Sequence, residues 1–549
     1  MAKFITAAEA AALIPDGATI GTAGMGMSGW AEEVACAIRD RFRETGHPCG
    51  LDLHHGSAMG DWGYGNQFDG WDRTRRPGGP DESHGSRGVT RLGEAGPGLV
   101  TRWVGGHVGS AFTLRELAAQ EKLECFCLPQ GVAVNLWREI AAGRPGLFTK
   151  VGLGTFVDPR VEGGRMNKSA KGNIAELVEV NGEEYLFYKS FPLNVALLRG
   201  TIADEKGNIS FAHESVINEG LAVAEAAHNS GGIVIVQVEY VTKAETLSPK
   251  DVKIPGILVD YVVQATDPMA CWQTEGTYWD PSYSGQIRRP LKAIPAMPLN
   301  ERKVIARRCA MEVPAGAVLN LGVGIPADMG SVITEEGLLD QVTMSAESGM
   351  IGGVMCPLPN FGSSYNPECT LEHNAIFDMI HGGGLDITCL GLGECDEEGN
   401  INVSKFGPRL SGPGGFIDIT NATPRVVFCG TFMGKAKCAV GDGKLTIVQE
   451  GTIKKFLKHV EQITFAGRYA KPGQEVLYVT ERCVFQLIGG KMTLTEIAPG
   501  VELERDILAH MDFTPAISPV LKTMDPGLFQ EHWGGLAQAM SRNEVKREA

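Results

Sequence analysis

The chain has 549 residues, 43% hydrophobic and 21% charged, which excludes a single small module and general disorder. A formal charge of −15 runs against the concentrated basic face of a nucleic-acid-binding domain. Thirteen cysteines, an odd number without C-x-x-C spacing, fit neither a disulfide framework nor a zinc ribbon and suit a reducing cytoplasm.

The N-terminus, MAKFITAAEAAALIPDG, carries one Lys and Glu9 around no long apolar core, so it is not read as a signal peptide. No stretch approaches the roughly 18 consecutive apolar residues of a membrane span, and the expectation is a soluble, cytoplasmic protein. Asp16 to Ile20 reads as turn and strand, leading into Gly24-Met25-Gly26. Trp30, Val34, Ala37 and Ile38 then recur at helical spacing, with Glu32 and Glu33 in the first turn, where they suit the helix dipole. His54 and His55 point to opposite faces of the next strand and cannot share one metal. Residues 60 to 98 are rich in Gly, Pro and charge and mark a long loop or partly disordered insertion, with Arg73, Arg75 and Arg76 as a solvated basic run. Pro129-Gln130-Gly131 and the run Gly152 to Gly164 are dense in small residues and read as site-facing loops.

Prolines at 290, 295 and 298 break periodicity before Glu301-Arg302-Lys303 opens a helix. The landmarks then recur. Ala315 to Leu319 leads into Gly322-Val323-Gly324, with Pro326 placed as a first helical residue. Asp396 to Ile401 echoes Asp204 to Ile209 at an offset of 192. Each echo precedes an apolar strand, and Leu385 to Leu390 is apolar enough for a buried parallel sheet. The expected fold is α/β, two related open doubly wound domains over 1–290 and 300–549, the first longer by its insertion. At the C-terminus, Phe529, Trp533, Leu536 and Met540 read as an amphipathic helix docked on the protein.

Three patches carry chemistry. Gly24-x-Gly26-x-x-Gly29 and Gly322-x-Gly324-x-x-Ala327 match a dinucleotide-binding turn, with Asp52 as the nearest ribose-binding acid; packing alone also explains such turns. Glu347 follows a short strand into a small-residue loop and either caps the next element or does chemistry, with the N–H groups of Gly352 and Gly353 available to an oxyanion. Ser411 to Asp418, with Gly412, Gly414 and Gly415, is either a tight turn or a holder of thioester or phosphate. No G-x-S-x-G elbow supports serine catalysis.

Taken together, Leu128 to Val132, Gly152 to Asn167, Ala346-Glu347-Ser348-Gly349 with Gly352-Gly353, Gly382 to Asp386 and Ser411 to Asp418 resemble the family I coenzyme A transferases over nearly the whole chain. The resemblance is to the single-chain acetate or propionate type and, more distantly, to succinyl-CoA:3-oxoacid CoA-transferase. It implies the family I fold and CoA exchange between a short-chain acyl-CoA (acetyl, propionyl, butyryl or 3-oxoacyl) and a free carboxylate, in a homo-oligomer. Glu347 matches the catalytic glutamate, which forms an acyl anhydride and then a glutamyl-CoA thioester. Gly414, Gly415, Gly352 and Gly353 match oxyanion or CoA-binding positions, and Gln130 and Gly131 the substrate pocket. No metal, redox cofactor, nucleic acid or membrane partner is implied. Because Glu347 must ionise to attack, strong apolar burial is not expected. The segment His54 to Gly60 departs from the family's Asn or Gln there. Two other readings stay open: an acyl-CoA hydrolase using the same Glu347, and an NAD(P)-dependent oxidoreductase resting on the dinucleotide-like turns.

Overall fold

The computed structural model describes residues 2–60, 87–290, 296–543 and 545. The basic run at Arg73, Arg75 and Arg76, most of the 60–98 insertion, and Pro295 lie outside the described residues. No helix among the described residues is long and apolar enough to cross a membrane.

Two mixed sheets carry the chain, each with a parallel centre. In the first, parallel strands run in the order Lys3–Phe4, Tyr261–Gln264, Ile233–Thr242, Val195–Asp204, Thr19–Thr22, Leu51–His55, Val100–Gly105, Glu124–Cys127. In the second, Val342–Ser345, Ala317–Leu321, Ile387–Gly391, Arg425–Cys429 and Glu475–Val479 are parallel, and antiparallel strands flank them on both sides. Helices cover the faces, so the central strands are buried on both sides and can be nearly all apolar, as Val234 to Val236 and Val426 to Phe428 are. The open α/β reading holds in both halves.

The strand orders superimpose. Thr19–Thr22 lies between Val195–Asp204 and Leu51–His55, as Ala317–Leu321 lies between Ile387–Gly391 and Val342–Ser345. The repeated Asp-x-x-Gly-Asn turns agree atom for atom. Asp204 Oδ1 accepts the N–H groups of Lys206 and Asn208, and Asp396 Oδ1 those of Glu398 and Asn400, each closed by the Asn amide on the other carboxylate oxygen.

The longer first half also holds a small antiparallel sheet of Gly146–Thr149, Glu176–Val180 and Glu183–Lys189. The run Gly152 to Gly164, expected to face the site, instead packs on the second half: Phe156 N–H donates to Ile463 O (2.7 Å), and a Cβ on Gly154 would strike the Tyr469 ring. The C-terminal helix is also shorter than its spacing suggests. Phe529 ends a 3-10 turn and Leu536–Met540 forms a separate short helix after Gly534-Gly535, though Phe529, Leu536 and Met540 do bury in the second core.

The halves meet through the helix Gln130–Ala141, which lies against His373–His381. Asn135 Nδ2 donates to Asp378 Oδ1 (3.0 Å), and Arg138 pairs with the other oxygen. The Gly-Pro-Gly-Gly loop closes the seam: Gln130 N–H donates to Gly414 O (3.0 Å) and Gly414 N–H to Gly106 O (2.8 Å).

Candidate active site

The strand Val342–Ser345 delivers Glu347 to its carboxyl end, where open α/β sheets hold their ligand crevices. A tight turn follows: Ala346 N–H donates to Met350 O (2.9 Å) and Gly349 N–H to Ala346 O (3.0 Å). Only glycine fits at 349, where φ is +104° and a Cβ would lie 2.2 Å from Leu371 O. Asn320, from the neighbouring strand, donates to Ser345 O (3.1 Å) and fixes the base of the turn.

Glu347 is only 8% exposed, contrary to the expectation of an open carboxylate. Burial raises its pKa, while its own backbone, His373 and Asn320 pull it back down and Asp418 adds to the rise. A desolvated carboxylate keeps its proton to higher pH but, once ionised, is a better nucleophile for having shed its water.

Glu347 faces a cavity of about 410 Å³ between the halves. The first half contributes Met25, Ser57, Ala58, His107 and Gln130, and the second Gly322, Val323, Phe361, Phe406 and Lys455 among others. Gly414 and Gly415 line it too. A Cβ on Gly415 would lie 3.5 Å from Glu347 Cγ, so the backbone there comes up against the carboxylate stem. The Gly414 N–H is used by Gly106 O, whereas that of Gly415 has no acceptor among the described residues.

Gln130 opens its helix rather than sitting in a loop, and its side chain enters a buried chain. Its Nε2 is 2.9 Å from His373 Nε2, and His373 Nδ1 is 2.7 Å from Glu219 Oε2. His373 therefore links the Gln130 amide to the buried Glu219 carboxylate.

Three expected site residues lie elsewhere. Gly131 is a packing position: its N–H donates to Asp418 Oδ2 (3.0 Å), and a Cβ would fall 2.3 Å from the Phe377 ring. Gly352 and Gly353 do not line the cavity; Gly352 N–H donates to Met344 O (2.7 Å), and Cβ atoms there would strike Glu368 and the Tyr365 carbonyl. The Gly352 N–H is spent on the turn, and the Cβ space at both glycines is taken by neighbouring protein.

The first dinucleotide-like turn is filled by protein. Gly29 N–H points to Glu214 Oε2 (3.3 Å), and Gln237 Oε1 accepts from Glu33 and Val34 at the helix start. Asp52 pairs with Arg102 and His54. The donors that would cradle a pyrophosphate are spent. Glu219, His373 and His107 had no local motif, since each enters the site only through tertiary packing.

A family model described as Coenzyme A transferase matches residues 87–265. A caffeate CoA-transferase of Acetobacterium woodii is 60% identical over 99% of this chain and 100% of its own length. The acetate CoA-transferase YdiF of Escherichia coli K12 is 40% identical, covering 96% and 94%. The crystal structure of the YdiF apoenzyme from E. coli O157:H7 superimposes with a TM-score of 0.87 at 39% identity over 97% of each chain, and its thioester complex with CoA gives 0.86. With sequence, fold and cavity in agreement, the chain belongs to the coenzyme A transferase family and is a CoA-transferase.

Proposed function

We propose that Glu347 is the nucleophile of a ping-pong exchange in which CoA passes from a short-chain acyl-CoA to a free carboxylate. The observation that carries this is Glu347 itself, the carboxylate at a strand's carboxyl end facing the cavity between the halves. A Glu347 oxygen adds to the thioester carbonyl, and the tetrahedral oxyanion collapses with loss of CoA thiolate to leave an acyl-glutamyl anhydride. The thiolate then attacks the glutamyl carbonyl, expels the acyl carboxylate and leaves a glutamyl-CoA thioester. An incoming carboxylate runs both steps backwards. Each derivative of Glu347 is activated, so thioester energy is kept without ATP.

The oxyanion needs fixed donors, and Gly415 N–H and the Gln130 amide are suited to supply them. His373 and Glu219 act as positioning residues, fixing the rotation of that amide through His373 Nε2. The burial of Glu347 supports transfer over hydrolysis, because water that reached the glutamyl thioester would waste it. No step calls for a metal or redox cofactor.

A larger acyl group has its own support. Phe361, Phe406, Phe416, Leu392 and Ile419 give the cavity apolar walls, and the 60% identical relative is named for caffeate, an arylpropenoate. Comparing kcat/KM for acetate, propionate, butyrate and caffeate with one CoA donor tests the assignment. Preference for the small acids supports the short-chain reading, and preference for caffeate replaces it. CoA release without any acceptor acid, at the rate of transfer, would instead make the protein a hydrolase. A homo-oligomer is part of the reading, since Ala516–Thr523 lies at the end of the second sheet with Ile517 and Val520 exposed; light scattering in solution checks it.

A further inference from the structure

Three of the thirteen cysteines converge at the back wall of the cavity. Cys309 lies on the helix Glu301–Ala310, Cys389 on the strand Ile387–Gly391 and Cys429 at the end of the adjacent strand Arg425–Cys429. Their sulfurs all lie within 4.8 Å of one another, and those of Cys389 and Cys429 are 3.6 Å apart. All three side chains are buried. The mechanism uses none of them.

We propose that Cys309, Cys389 and Cys429 form a trigonal site for a soft, thiophilic metal ion, reached through the CoA cavity. A metal about 2.3 Å from three coplanar thiolates sets the sulfurs about 4.0 Å apart, so small shifts complete the site. Carboxylate-binding ions are poorly matched to three sulfurs, whereas ions of the copper(I) and cadmium(II) class are well matched. Binding a divalent ion releases up to about three protons and leaves a tris-thiolate of one net negative charge. Cys429 itself lines the cavity, which supplies the entry path that a buried site requires.

The test uses the full-length reduced protein titrated with cadmium(II) alone, reading the thiolate-to-cadmium charge-transfer band in the ultraviolet. The proposal expects a band saturating at one ion per chain, with affinity falling by at least about tenfold in Cys309→Ala and in Cys389→Ser. Cys369→Ser, at an exposed thiol, leaves the band as it was. A CoA analogue lacking its sulfur should slow cadmium uptake by filling the path. Thermal melting shows whether each variant is folded, and Cys309→Ala, which only trims the helix side, retains transfer activity without cadmium. No band at one equivalent, or an unchanged band in both folded cysteine variants, overturns the site. Glu347→Gln should bind cadmium like the parent chain, so failure here is separable from failure of the nucleophile assignment.

Discussion

The two halves end equivalent strands in different ways. Leu51–His55 runs into Gly56 and Ser57, and Val342–Ser345 into Ala346 and Glu347, each beside the first strand of its own repeat. Ser57 and Glu347 both line the cavity. In the first half a Cβ on Gly56 would lie 2.3 Å from Val134 and 2.7 Å from Glu219 Oε1, so that tip is packed onto the Gln130 helix and its buried network. In the second half the tip carries a carboxylate instead. On the proposed mechanism, one architecture used twice divides the labour: the first copy brings polar groups to hold the substrate, the second the atom that reacts.

The largest expected break in that division is Glu347→Gln. The amide cannot act as nucleophile, and turnover should fall by at least about 10³, read by CoA transfer between acyl-CoA and acid. Gln130→Ala removes the donor from the other half and should cost roughly 10² in kcat with a smaller change in KM. His373→Leu leaves the Gln130 amide unanchored and should lower kcat by about tenfold, partly restored when Gln is placed at 373 to bond the amide again. A purely structural role for His373 would lower the melting temperature without a selective loss in kcat.

Stability offers a smaller, signed effect. The Glu347 pKa is raised by burial, so the folded state favours the protonated acid. That preference is fully present below the ordinary carboxyl range and is lost as pH rises through the raised value, after which the buried charge costs stability. Glu347→Gln should therefore melt higher than the parent chain at neutral pH, and the gain should disappear in acid. The same sign makes activity fall as pH drops through the raised value. Smallest of all, Ser57→Ala should change kcat by less than about tenfold, because its tip makes no covalent bond. A loss as large as that of Glu347→Gln would end the division of labour between the halves.

Much of this was legible where the chemistry is local. The paired Asp-x-x-Gly-Asn turns recur in sequence because their hydrogen bonds join residues two to four apart. Glu347 stood out because small residues surround it. The buried network was not legible: His373 meets Gln130 across 243 positions and Glu219 across 154. Glycines misled for a physical reason, since a missing side chain can admit either a ligand or a neighbour. Gly415 faces Glu347, whereas Gly131 makes room for Phe377 and Gly352 for Glu368. Burial of Glu347 likewise depends on how the halves close over the loop, which no stretch of sequence records.

The most direct test of the account is to treat the protein with propionyl-CoA in the absence of acceptor acid and examine the peptide holding Glu347 by mass spectrometry. CoA linked to Glu347 in the parent chain and absent from Glu347→Gln is the predicted result. Transfer that proceeds with no CoA on that peptide, or with CoA attached to another residue, would contradict it.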